Sequence, residues 1–214
     1  MIRPPFWRWL EQFLPDPIVD RDNGTDRVAL IVDDRDDEVT RRVFANAVAV
    51  LGPSWNHRCV RQRGDNDLLA SLAFWAGIPE EHVLIYQRDT VLFRQVPDAV
   101  LRWAMIGAPC GDLRPDRWTL NGGLSLRQRS AMLDVLACVG RADGEPEDVY
   151  FTRGLRLIGH PIPNIIQAAA FSLESDVLSM LHQVGVHGTD KLYMPDELAS
   201  DVVDEAFHSR AVLV

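Results

Sequence analysis

Apolar residues follow two spacings along this chain, and the spacing switches at glycine and proline. RVALIVDD, residues 27–34, is continuously apolar up to its acidic end, as a strand buried on both faces would be. In EVTRRVFANAVAVL, residues 38–51, Val39, Val43, Ala47 and Val50 share one helical face, and Gly52-Pro53 ends the pattern. NHRCVRQ (56–62) then reads as a second strand, DNDLLASLAFWAGIP (65–79) as a second helix and HVLIYQ (82–87) as a third strand. Strand, helix, strand, helix, strand with short connections predicts a parallel sheet wrapped by helices, because parallel neighbours need a crossover.

The second half alternates less regularly. The pattern predicts a helix over 97–103, a strand at 104–109, a strand over 119–127 running into a helix near 128–139, and a helix over 146–158. AAAFSLE (168–174) reads as extended and 196–208 as helical. Residues 1–24 form an amphipathic extension, and 25–214 a single domain. In the extension Phe6, Trp7, Trp9, Leu10, Phe13 and Leu14 crowd one short helical stretch before Pro15 and Pro17. A helix folded back onto the domain is the simpler expectation. Peripheral membrane contact through residues 6–14 is the alternative, with Arg3 and Arg8 as its only cations.

Composition narrows the partners. The chain has 214 residues, 47% hydrophobic and 25% charged, enough to build an ordinary core. Its 31 acidic against 22 basic residues, a formal charge of −9, argue against a nucleic-acid polymer as partner. Cys59, Cys110 and Cys138 are widely spaced and include no CxxC, which suggests a reducing compartment. No apolar run reaches bilayer-spanning length and the start lacks a secretory hydrophobic core, so a cytoplasmic protein is expected.

Candidate chemistry gathers where strands end, since open α/β sheets bind ligands beyond the carboxyl ends of their strands. The first strand ends in VDDRDDE, offering Asp33, Asp34, Arg35 and Asp36, which would serve equally as a solvated helix-start loop. The third ends in the more unusual VLIYQRDTVLF (83–93), where Arg88 and Asp89 interrupt an apolar run. A buried carboxylate needs a compensating cation, either a divalent metal or an arginine partner. NGGLSLR (121–127) opens with two glycines, which suit close approach of a ligand or a β-bulge. EPEDVYF (145–151) sets Glu147 and Asp148 in a first helical turn, where one could accept a proton from an alcohol. GVHGTDKLY (185–193) holds His187 four residues before Lys191.

Taken in order, the strand ending at Asp89, NGGLSLR, EDVYF and GVHGTDK resemble glycosyltransferase domains of the GT-A type, over about residues 27–192. RVALIVDDR and LGPSW add to the likeness. The resemblance implies a Rossmann-like, nucleotide-binding mixed sheet flanked by helices. It also implies a nucleotide-sugar donor, most simply a UDP-sugar, a glycan or other hydroxyl acceptor, and a divalent metal, manganese ahead of magnesium. By that likeness Asp89 and His187 would hold the metal and Lys191 the donor diphosphate. Asp34, Arg35 and Arg88 would meet the nucleotide. Asn121, Gly122 and Gly123 would line the donor-sugar and acceptor region, with Asp148 or Glu147 as base in an inverting transfer. The sequence departs from the pattern at Gln87, where a full DxD motif has its first acid. A degenerate domain that binds nucleotide or glycan without catalysis, or a sugar nucleotidyltransferase, are the alternatives.

Overall fold

The computed structural model describes residues 4–62, 66–111, 117–173, 183–188, 200–201 and 203–204. In chain order the helices and strands are α1 (Pro4–Leu10), β1 (Arg27–Val32), α2 (Glu38–Leu51), β2 (Asn56–Val60), α3 (Asn66–Leu69), α4 (Leu72–Ala76), β3 (His82–Tyr86) and β4 (Val91–Leu92). They continue with β5 (Met105–Gly111), β6 (Trp118–Gln128), α5 (Arg129–Cys138), α6 (Glu147–Ile158), α7 (Ile165–Phe171), β7 (Ser172–Leu173) and β8 (Gly185–Val186). A five-stranded mixed sheet in the order β2-β1-β3-β6-β5 forms the centre, and a small sheet in the order β4-β8-β7 stands beside it. β1 pairs parallel with both β2 and β3, whereas β6 runs antiparallel to β3 and to β5.

The apolar run of β1 is explained by burial on both faces. Ala29 and Ile31 join one core with residues of α1 and α2, and Val28, Leu30 and Val32 join another with residues of α4, α5 and α6. Asp37 caps α2 by accepting from the Thr40 N–H, and Gly52, at φ 65°, ends the helix in a conformation that favours glycine. Where one helix was expected over 65–79 the structure has two, because the Ser71 hydroxyl accepts from the Phe74 N–H and starts a new one. The expected helix at 97–103 is a single 3-10 turn, Asp98–Val100. AAAFSLE is helical up to Phe171, under an Asn164–Gln167 capping box, and extended only over Ser172–Leu173. The helix expected at 196–208 lies largely outside the described residues.

The amino-terminal helix folds back onto the domain. Phe6, Trp9 and Leu10 are fully buried in the same core as β1 and β3, and the Trp9 indole donates to the Leu92 carbonyl at 2.9 Å. Its largest apolar side chains therefore face the protein rather than a bilayer. No helix among the described residues is long and apolar enough to cross a membrane.

His57 sits buried on β2, edge-on to Phe44, with its Nε2 3.2 Å from the Gly52 carbonyl oxygen. Burial above all, with the Arg21 guanidinium adding to it, holds this imidazole below its ordinary value against the opposing Gly52 bond. The unfolded chain therefore binds this proton more readily. The resulting stability is complete above about pH 6.5, the unperturbed histidine value, and is lost as pH falls through the lower folded value. Urea denaturation between pH 7.5 and 5 should show stability declining, and His57→Gln should flatten that decline. An unchanged slope in the variant would assign it to other groups.

Candidate functional site

The topology brings four distant segments to one edge of the sheet. Because β1 and β3 are parallel neighbours with Ile31 opposite Tyr86, the residues that follow them, Asp33 and Gln87, leave the sheet on the same side. β6 returns antiparallel with Leu124 opposite Tyr86, so Asn121, Gly122 and Gly123 lie at that edge too. The Gln87 N–H and the Thr90 hydroxyl both donate to the Gly123 carbonyl, at 2.9 and 3.2 Å, which fixes the turn bearing Arg88 and Asp89. β8 pairs with β4, Val186 opposite Val91, and so delivers His187 to the same turn.

His187 is 8% exposed, and its Nε2 lies 3.0 Å from Gln87 Oε1 and 3.2 Å from Asp89 Oδ1. An imidazole, a carboxylate and an amide oxygen thus converge. Among the described residues no group of three or more His, Cys, Asp and Glu side chains that could hold a metal forms; here Asp89 and His187 meet with the Gln87 amide beside them. One nitrogen and two oxygen donors are compatible with manganese or magnesium.

The two glycines make room for side chains. A Cβ on Gly123 would lie 2.1 Å from His187 Nε2, and one on Gly122 would lie 2.2 Å from Glu147 Oε1. Glu147 and His187 thus lie where side chains at 122 and 123 would be. Asn121 braces the same turn through its Oδ1, which accepts from the Gly123 N–H at 2.7 Å.

Glu147 and Asp148, adjacent in sequence, have different surroundings. Glu147 is 5% exposed and receives both guanidinium nitrogens of the fully buried Arg127, at 2.7 and 3.0 Å. That pairing removes it from the candidate bases. Asp148 is half-buried, and burial, together with the neighbouring Glu147 carboxylate, pushes its carboxyl above the ordinary value. The Val149 and Gly122 N–H groups and Arg127 pull the other way. Of the two, Asp148 is the carboxylate whose proton affinity is raised.

The nucleotide candidates are more dispersed. Arg88 donates to Asp37 Oδ2 at 2.6 Å, tying the turn after β3 to the start of α2. Burial opposes ionisation of Asp37, but the Thr40 and Arg88 hydrogen bonds hold its carboxyl below the usual value. Arg35 folds back on the buried Asp33 through two side-chain bonds and its own N–H, leaving Asp34 exposed at the rim. Lys191 lies outside the described residues. Arg127 was not among the sequence candidates. Its one sequence signal is a cation directly after the uncharged stretch from Trp118 to Leu126.

These features define a mixed α/β domain with a polar site at the carboxyl edge of its parallel strands. Residues 54–187, more than half of the chain, match the family described as "Protein of unknown function (DUF5672)", and the chain belongs to that family. No curated protein matches it. The matched stretch takes in Gln87–Asp89, Asn121–Gly123, Glu147–Asp148 and His187, while Asp34 and Arg35 precede it.

Gly123→Ala should drive a methyl onto the imidazole and part His187 from Gln87 and Asp89. The expected result is a shifted His187 ring resonance by NMR and a loss of roughly 1–3 kcal/mol in chemical denaturation, as overpacking usually costs. A variant with native stability and an unmoved ring would contradict the close packing.

Proposed function

We propose that the chain is a metal-dependent glycosyltransferase that moves a sugar from a nucleotide-sugar donor to a hydroxyl acceptor with inversion. The observation that carries this reading is the meeting of Asp89 and His187, 3.2 Å apart, at the carboxyl edge of parallel strands. Supporting it, the sheet is parallel through β2, β1 and β3 and antiparallel beyond, with a small second sheet beside it, in keeping with the GT-A-type resemblance. That resemblance is the source of the donor class, most simply a UDP-sugar.

Asp89 and His187 would hold a divalent cation, with the Gln87 amide oxygen beside them. Such a cation would supply Lewis-acid stabilisation of the diphosphate as its bond to the sugar breaks. The remaining steps belong to the protein's own groups. Asp148 accepts the proton of the acceptor hydroxyl as that oxygen bonds to the anomeric carbon, and the electron pair of the breaking bond leaves with the diphosphate. The raised proton affinity of Asp148 suits this, because a base with an ordinary carboxylate value is a poor acceptor at neutral pH. The Thr90 and Gln87 bonds to Gly123 keep the turn rigid, so Asp89 is pre-positioned. Arg88, held to Asp37, and the exposed Asp34 and Arg35 form the rim facing the nucleoside end. Gln87 in place of an acid favours a second reading, in which the domain binds nucleotide without turnover.

Thermal denaturation with UDP-sugars, with and without manganese, is expected to show stabilisation that requires the metal and disappears in Asp89→Asn. Metal-independent shifts would remove Asp89 and His187 from the donor site. Asp148→Asn should lower transfer by about 10²–10⁴-fold, the usual range for a positioned base, while donor binding persists. Donor binding in the native protein without transfer to any hydroxyl acceptor would favour the second reading.

A further inference from the structure

Arg127 is fully buried against a pair of aromatic rings, its guanidinium carbon 5.9 Å from the Trp75 ring centre and 5.7 Å from that of Phe151. Besides the two bonds to Glu147, it donates to Ser125 Oγ at 2.9 Å and reaches the Gly122 carbonyl at 3.4 Å. Glu147 is itself fixed from the other side, its N–H donating to Asn66 Oδ1 at 3.0 Å. A buried ion pair is a poor device for stability alone, since apolar side chains of similar volume often do as well or better. What this pair does touch is specific. It joins the carboxyl end of β6 to the first turn of α6, where Asp148 directly follows Glu147, and it spans Gly122, whose carbonyl Arg127 reaches.

We propose that Arg127 and Glu147 are positioning residues for Asp148: their buried pair clamps the start of α6 onto Gly122 and thereby sets where the Asp148 carboxyl sits. Glycine at 122 is part of the device, because any Cβ there would collide with Glu147 and with Arg127, at 2.2 and 2.9 Å. Among the described residues, the charged groups acting on Asp148 are Glu147 on its own helix and Arg127 from β6, with opposite signs. Asp67, on the neighbouring α3, is engaged by Arg141 at the surface.

The test follows the Asp148 carboxyl by carbon-detected NMR titration, assigned with Asp148→Asn, in folded variants checked by circular dichroism. Glu147→Gln removes the adjacent anion and should lower the Asp148 midpoint toward the ordinary value of about 4. Adding Arg127→Met to it removes the cation and should raise the midpoint again. These shifts establish that the pair acts on the Asp148 carboxyl, and a midpoint that moves in neither variant overturns the proposal. The double variant buries no unpaired charge, so it carries the test alone if Glu147→Gln does not fold. In it, the Gly122 amide should exchange with solvent at least about 10-fold faster than in the native protein, as a loosened local contact would. Native exchange together with a native titration would overturn the clamp. The catalytic arm rests on the glycosyltransferase reading, in which kcat falls by up to about 100-fold, the lower end of a general base's contribution, with donor KM unchanged. Shifted titrations in a protein that transfers no sugar would sink that reading and leave the clamp standing.

Discussion

A carbonyl on β6 organises this edge of the molecule. The Gly123 oxygen accepts from both the Gln87 N–H and the Thr90 hydroxyl, so the chain must turn at Arg88 and Asp89 instead of extending β3. This turn lets β4 start a separate small sheet, and that sheet carries His187 back to the same place. If residue 123 bore a side chain the imidazole could not lie where it does. The pairing of β3 with β6 and the bareness of the glycine pair together decide which polar groups meet.

Charge is compensated group by group along this edge. Asp33 is answered by Arg35, Asp37 by Arg88 and Glu147 by Arg127, while Asp89 lies 3.2 Å from the His187 imidazole. Burying a carboxylate without such a partner is costly, and each pairing also fixes a geometry. Asp148 differs from these. Its raised proton affinity reflects burial next to another anion, and it accepts from the Val149 N–H at 2.8 Å. Two adjacent residues at one helix start thus divide between structure and candidate chemistry, by environment alone.

The periodic elements were legible because each has a local cause. α2 is bounded as its pattern predicts, from its Asp37 cap to Gly52, and β1 reads as doubly buried because it is. The failures are equally local: Ser71 competes for a helix start inside an apolar run, and Ala168–Phe171 follows its capping box rather than its apolar run. At the site, the nearness of Asp89 and His187 follows the order of the motifs. The difference between Glu147 and Asp148 was not readable, because it depends on Arg127, which arrives from a strand 20 positions earlier. Nor could the glycine pair reveal that Glu147 and His187 lie where its side chains would be. Spacing shows where a side chain is missing without showing what occupies the gap.

The Leu92 carbonyl is shared by the Trp9 indole and the Asn46 amide, and the Leu92 N–H returns to Asn46. Leu92 also lies in β4, opposite Gly185, two residues before the imidazole. The opening helix is therefore mechanically continuous with the histidine-bearing strand, and a cut after residue 24 would pass through a shared core. Any tether attached near the amino terminus would pull, through one indole, on the seat of the site.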